Sequence, residues 1–341
     1  MDLDTLHKGR QTIVFDRHPV ILAHSAIAGK KESEGALAGF FDHTETDTRF
    51  GQKTWEKAET RLQELALDTA RSKAQLQYSD LDVLFAGDLL NQCISSAFAI
   101  RDTRIPFLGL YGACSTMAES LTLAAAAVNA GYAARAAALT SSHFATAERQ
   151  YRFPLGYGGQ RTPTAQWTVT GSGCCIVGAE GSGPFINCAT IGRIEDYGIK
   201  DANNMGAAMA PAAYSTLRAH FADTGLRPQD YDLIVTGDLG TLGSTIVTDL
   251  FQRDGVEFGA NYRDCGVLIY DLKRQDVHAG GSGCGCGASV LCGYLLRQLR
   301  EKKINSLLFC ATGALMSPVS TWQGESIPAI CHAISISNER R

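Results

Sequence analysis

The stretch Gly109-Leu-Tyr-Gly-Ala-Cys-Ser-Thr-Met117 holds a cysteine, Cys114, in a small-residue turn between a short apolar run and a long alanine-rich segment. If that segment is a helix, Cys114 lies at its N-terminus, where free N–H groups and the macrodipole favour a thiolate. Such a position suits a nucleophile, and it suits equally a small apolar residue packed under a buried helix. Further along, His143 closes Thr140-Ser-Ser-His and can either donate to a ligand carboxylate or be a satisfied histidine at a strand end. Arg149 and Arg152 follow it, and arginine pairs with carboxylates in a bidentate fashion, although Glu148 stands ready to neutralise one of them. The glycine loop Tyr157-Gly-Gly-Gln160, with Arg161, can cover a pocket or serve as a loop between subunits. Cys284 and Cys286 form a Cys-x-Cys, but no second close pair of ligands accompanies them, so no zinc site is expected.

The chain that must position these groups has 341 residues, 45% of them hydrophobic, enough for two domains or one large duplicated unit. A net charge of −4 without any basic tract argues against nucleic acid as a partner. The first 30 residues show no signal-peptide pattern, and Leu121 to Leu139 is alanine-dominated and interrupted by Asn129 and Arg135, so it reads as a buried helix rather than a membrane span. Any membrane association is then peripheral. Eleven cysteines, an odd number without regular spacing, are expected to be reduced thiols.

Organisation is set by an internal repeat. At a constant offset of 150, Leu76, Asp80, Asp82, Gly87, Asp88 and Leu89 meet identical residues in Leu226, Asp230, Asp232, Gly237, Asp238 and Leu239. Each copy reads as helix, turn, buried strand and loop. The first helix is marked by Trp55, Ala58, Leu62, Leu65 and Ala66, and the second is expected over Pro211 to Ala222 with proline in its first turn. At an offset of 172, a turn, an apolar helix and a strand recur, so that Cys114 faces Cys286 and Thr140 faces Thr312. The two apolar helices, Ser115 to Ala130 and Ala288 to Leu299, are hydrophobic around most of their circumference, as expected of helices held between sheets. The expected fold is therefore α/β with mixed sheets in five αβαβα layers, built from two similar halves, 1–178 and 179–341.

The Gly-Ala-Cys-Ser turn, the two-half repeat and the glycine-rich segment 279–289 resemble the thiolase-like superfamily of thiolases and ketoacyl synthases. Several blocks more closely resemble the stage V sporulation protein AD family of spore-forming bacteria. They include Ala86-Gly-Asp-Leu-Leu-Asn-Gln92, Gly112-Ala-Cys-Ser-Thr116, Ala145-Thr-Ala-Glu-Arg-Gln150, Tyr157-Gly-Gly-Gln160, Thr168-Val-Thr-Gly-Ser-Gly173, Met205-Gly-Ala-Ala-Met-Ala-Pro-Ala-Ala213 and Ala279-Gly-Gly-Ser-Gly-Cys284. The resemblance runs from about residue 10 to 330. It implies binding of dipicolinic acid (pyridine-2,6-dicarboxylate) and its movement into the developing spore. It further implies a peripheral place at the spore inner membrane beside the other stage V A proteins, and a homodimer. No thiolase activity is established for that family.

Thiolase chemistry needs proton-managing partners for the cysteine. Where ketoacyl synthases carry His-Gln-Ala-Asn, this chain reads Gly237-Asp238-Leu239-Gly240, so that histidine is absent. His278, in His278-Ala-Gly-Gly-Ser-Gly283, resembles the thiolase His-Pro-x-Gly pattern with one residue missing, and Cys310 lies one residue out of register for a second cysteine. No catalytic residue and no metal ligand is assigned. The expected ligand-binding set is Asp88, Asn91, Gln92, Cys114, His143, Arg149, Asp238 and His278. Two aspartates suit a dicarboxylate if Ca²⁺ accompanies it or if one carboxyl is protonated. Otherwise they cap the next helix or loop. The competing function is an acyltransferase of the ketoacyl synthase type using Cys114.

Overall fold

The computed structural model describes residues 6–151, 160–258 and 261–340. Ten strands form its frame. The first five are β1 (Val20–Ala28), β2 (Val83–Gly87), β3 (Phe107–Gly109), β4 (Arg135–Ser142) and β5 (Gly171–Gly178). The second five are β6 (Phe185–Thr190), β7 (Leu233–Thr236), β8 (Tyr262–Asp264), β9 (Ser306–Ala314) and β10 (Ala329–Ser337). Spatial order in the first set is β1-β5-β4-β2-β3, and in the second β6-β10-β9-β7-β8. In both sets the first two pairings are antiparallel and the last two parallel. The duplication read from the sequence is thus a duplication of topology. The two sets join edge to edge at the single pair Phe185 and Val20, so the hydrogen-bonded path runs through both halves.

Helices complete the layers. On the outer face of the first half lie α1 (Trp55–Lys73) and α2 (Ile94–Ile100), and on that of the second α5 (Met205–Thr224) and α6 (Gly240–Arg253). Between the halves run α3 (Thr116–Asn129) and α7, which comprises Cys284–Ser289, a π-helical turn Val290–Leu295 and Leu296–Arg300. A short helix, α4 (Phe144–Tyr151), follows β4 and precedes α5 in the chain. Helix α3 packs on β2, β4 and β5 of one half and on β9 and β10 of the other. Facing sheets on two sides explains why its buried residues, among them Met117, Ala118, Leu121, Ala125 and Val128, go around the helix rather than along one stripe.

Two expectations about helix starts need correcting. Helix α5 begins at Met205, where the Asn204 side chain accepts from the Ala207 N–H, and Pro211 lies inside it. The helix packs against β9 and β10 through buried residues that include Gly206, Ala208, Ala210, Ala212 and Ala213, and this contact outweighs the backbone hydrogen bond that proline cannot make. Helix α7 begins at Cys284, four residues before the expected Ala288, because Gly283 adopts φ 96 and turns the chain there.

The two halves also meet at the cysteine turn. A Cβ on Gly313 would stand 2.2 Å from the Gly112 carbonyl oxygen, so glycine is needed for β9 to lie against this turn. Among the described residues, no helix is long and apolar enough to cross a membrane.

Candidate functional site

Cys114 sits in a single 3-10 turn, Ala113–Ser115, at the entrance to α3. Ala113 adopts φ 50, a left-handed conformation that costs a non-glycine residue on the order of 1 kcal/mol. The turn leaves Cys114 half-buried in the wall of a narrow cleft of ≈ 40 Å³. Apolar walls come from Leu89 after β2, Ala147 on α4, Met205 and Met209 on α5, and Ala314 and Met316 at the end of β9. Polar groups come from Cys114, Glu148, Tyr151, Thr168 and Ser282. The cleft therefore draws on both halves, at the ends of parallel strands where open α/β sheets place ligands.

Asp238 organises its floor. One carboxylate oxygen, Oδ2, accepts from the Gly283 N–H (2.9 Å) and the Ser282 hydroxyl (3.2 Å), while Oδ1 accepts from the Thr312 hydroxyl (2.9 Å). The Cys114 thiol stands next to this carboxylate, close enough for the two groups to shift each other's pKa. Burial pushes the Asp238 carboxyl up to about 6, against the pull of these donors. Burial first, and the neighbouring Asp238 charge second, raise the Cys114 thiol well above its ordinary value; the Gly283 N–H and the Ser282 hydroxyl pull only partly the other way. A helix-entrance position was expected to favour the thiolate. Loss of solvent and the adjacent carboxylate favour the protonated thiol instead.

The other expected ligand residues are distributed around the cleft rather than within it. Asp88 is buried, with Oδ1 accepting from the Leu90 N–H (2.9 Å) and Oδ2 from the Ser96 N–H (2.8 Å) and hydroxyl (2.6 Å), so it ties down the loop that leads into α2. Asn91 and Gln92 are exposed on that loop; the Asn91 N–H donates to the Gln150 side chain (3.1 Å), and Gln92 has φ 60. His143 is buried against Trp55. Its Nδ1 accepts from the Ala145 N–H (3.1 Å), leaving Nε2 to donate to the Thr48 carbonyl (2.8 Å), and burial lowers its pKa. Arg149 points outward and pairs with Glu56. His278 lies outside the cleft lining, with Nε2 3.1 Å from Asp276 Oδ1. Cys310 is buried within β9. Arg152 and most of Tyr157-Gly-Gly-Gln160 lie outside the described residues. Of the expected set, the structure brings together Cys114 and Asp238 alone.

Residues without a sequence signal complete the site. Beneath the cleft, the Ser141 and Thr146 hydroxyls donate to Glu59 (2.9 and 2.6 Å), and Gln63 donates to Ser96 (3.0 Å) and Ser141 (2.8 Å), linking this group to Asp88. Burial first and the Asp88 charge second push Glu59 up to about 8. On the rim, the Tyr151 hydroxyl donates to the Leu89 carbonyl (2.8 Å) and meets the Tyr111 hydroxyl, and the Thr168 hydroxyl donates to Glu148 (3.0 Å). Behind Asp238, Asp264 accepts from the Leu239 and Gly240 N–H groups (both 2.9 Å) and the Thr236 hydroxyl (2.7 Å), holding the 237–240 loop at the start of α6. No group of three His, Cys, Asp or Glu side chains is arranged to hold a metal ion among the described residues.

Paired five-stranded halves around two central helices, with a cysteine at the entrance of one of them, define the thiolase-like fold. Solved structures agree. The 3-oxoacyl-[acyl-carrier-protein] synthase III of Aquifex aeolicus aligns with TM-score 0.57 at 12% identity over 94% of this chain and 99% of that one. Cerulenin-bound OleA of Xanthomonas campestris aligns with TM-score 0.62 at 12% identity over 95% and 97%. Human mitochondrial 3-ketoacyl-CoA thiolase in complex with CoA aligns with TM-score 0.58 at 12% identity over 95% and 99%. Within this class the sequence is far more specific. Residues 9–337 match the model of the Stage V sporulation protein AD family. The chain is also 47% identical, over 327 residues and 96% of each chain, to Stage V sporulation protein AD of Bacillus subtilis (strain 168). It belongs to that family.

Proposed function

We propose that this protein is a non-catalytic binding protein for dipicolinate in the forming spore, its cleft inherited from condensing enzymes. The observation that carries this reading is the contact between Cys114 and Asp238. A carboxylate held by three donors stands beside the thiol, so the thiol pKa is raised and no neutral base is there to take its proton. What remains is a cleft with apolar walls that suit a flat aromatic ring, and a rim of hydroxyl groups. Among the described lining residues there is no lysine or arginine. A dicarboxylate therefore enters with Asp238 protonated, or together with Ca²⁺ as part of the cargo, so that charge is cancelled. Family membership supports the sporulation setting. In this reading the protein works as a homodimer at the spore inner membrane, peripherally, beside the other stage V A proteins.

Isothermal titration with dipicolinate, with and without Ca²⁺, tests the proposal. Saturable heat is expected, reduced at least about tenfold in affinity by Met205→Trp, which fills the cleft, and weakened by Cys114→Ala. Absence of heat at millimolar ligand in both conditions, or binding indifferent to Met205→Trp, overturns it.

A further inference from the structure

Successive residues of a strand face opposite ways, so while Thr168 lines the cleft, Trp167 faces away from it. Phe144 stacks on the Trp167 ring, with centroids 4.0 Å apart and planes at 13°. Two cations sit over the same ring: Lys31 Nζ is 3.8 Å and Arg161 Cζ 4.7 Å from its centroid. Like charges held this close need a counter-charge, and Asp276, Glu32 and Glu34 supply it only in part, since the Lys31 pKa still falls. Arg161 Nη2 donates to the Asp276 carbonyl (2.8 Å) and to its Oδ1 (3.2 Å), but that oxygen also serves His278, and the Asp276 side chain is 77% exposed. Neither an ion pair for Lys31 nor an acceptor for Arg161 Nη1 is present among the described residues. Glu32, next in the chain, is buried and already accepts from the Tyr270 hydroxyl and the Thr170 N–H, and burial pushes its carboxyl up to about 7, so it offsets the pair only in part. Burial first and Arg161 second depress the ammonium pKa of Lys31, as expected of an under-neutralised cation.

We propose that Lys31, Arg161 and Trp167 form a second site, separate from the Cys114 cleft, which takes the oxyanion of a small carboxylate or phosphate ligand. Lys31 supplies a point charge and Arg161 a planar donor edge, while the indole fixes both against the side of the cleft wall. Asp276 is the internal competitor that an entering anion replaces.

Trp167 is its own reporter. In a Trp55→Phe/Trp322→Phe background, inorganic pyrophosphate and citrate are titrated separately, followed by Trp167 fluorescence and by calorimetry. Saturable binding of either is expected, and which of the two saturates identifies the oxyanion as phosphate or carboxylate. Lys31→Gln should raise the apparent Kd about tenfold or more, and Asp276→Asn should lower it several-fold, whereas Met205→Trp in the cleft, followed by calorimetry alone because it adds a tryptophan, should leave it unchanged. Because Lys31 and Asp276 are both partly or largely exposed, these two variants keep the test decisive even if Arg161→Gln fails to fold. No saturable response to either anion up to roughly 10 mM, or affinities indifferent to Lys31→Gln and Asp276→Asn, overturns the proposal.

Discussion

The Cys114 thiol lies beside the carboxylate of Asp238, a residue 124 positions later in the chain and next to Gly237, the position at which the ketoacyl synthase pattern has its histidine. Histidine beside a cysteine withdraws the proton and activates sulfur; a carboxylate already held by three donors raises the thiol pKa instead.

Alkylation measures this directly. Cys114 should react slowly with iodoacetamide at pH 7.5, and Asp238→Asn, which removes the negative charge beside the sulfur, should speed labelling about tenfold, the equivalent of one pKa unit. Intact-mass kinetics with peptide mapping distinguish Cys114 from the buried thiols. Equal rates in the two proteins would show that Asp238 does not hold the thiol, and an acyl adduct formed on Cys114 by acyl-CoA donors would favour the enzymatic alternative.

Ligand affinity should depend on pH through the same carboxylate. With its pKa at about 6, Asp238 is charged at pH 7.5 and largely neutral at pH 5.5. An anionic ligand in the absence of Ca²⁺ is repelled in the first condition and not in the second, so dipicolinate should bind about fivefold or more tightly at pH 5.5. Calorimetry at the two values should show that Asp238→Asn removes the difference and tightens binding at pH 7.5. A dependence of opposite sign would mean that the ligand avoids Asp238.

The topology of each half was largely legible because strand, turn and helix signals repeat with their Gly-Asp-Leu endings. The roles of the two repeated aspartates were not. Asp88 is met by its own loop, which folds back to offer Leu90 and Ser96, whereas Asp238 is met by Ser282, Gly283 and Thr312 from distant elements. Local spacing is identical, and only tertiary donors tell them apart. Glu59 was hidden for a related reason: a charged residue in an amphipathic helix reads as solvent-facing, and here it is 1% exposed because the Ser141 and Thr146 hydroxyls solvate it from β4 and α4. The left-handed Ala113 leaves no trace in residue type at all.

Glu59 should set the alkaline side of the stability profile. Its folded pKa, about 8, exceeds the ordinary carboxyl value of 4.5, so the folded state holds a proton the unfolded state releases, and stability falls as pH rises across that interval. Glu32 and Asp264, both near 7, act in the same direction over the lower part of it. The buried His24, His220 and His332, depressed to about 4, oppose this only below pH 6.5, where an unfolded imidazole gains its proton first. The melting temperature should therefore drop between pH 6.5 and 8, and Glu59→Gln should flatten that drop while keeping the Thr146 contact. An unchanged slope in Glu59→Gln would assign the effect elsewhere.

Self-association should use the free edge of the first half. Strand β3 ends the sheet path, so among the described residues one side of its backbone lacks a partner strand, and Leu108 within it is 54% exposed. Nearby elements add exposed Phe98 and Ile94 from α2 and Leu123 from α3, while β3 itself has none of the charges that guard edge strands against pairing. An antiparallel contact between two β3 strands is self-complementary about a two-fold axis and would extend the sheet across both copies. It would also cover Tyr111, whose hydroxyl meets Tyr151 at the cleft rim, and so couple assembly to the ligand site. Light scattering after size exclusion should give twice the chain mass of 36.5 kDa for the wild type at micromolar concentration, and the single-chain mass for Leu108→Lys. A wild-type monomer, or a dimer that survives Leu108→Lys, would exclude this edge as the interface, since a buried unpaired lysine there costs several kcal/mol per copy.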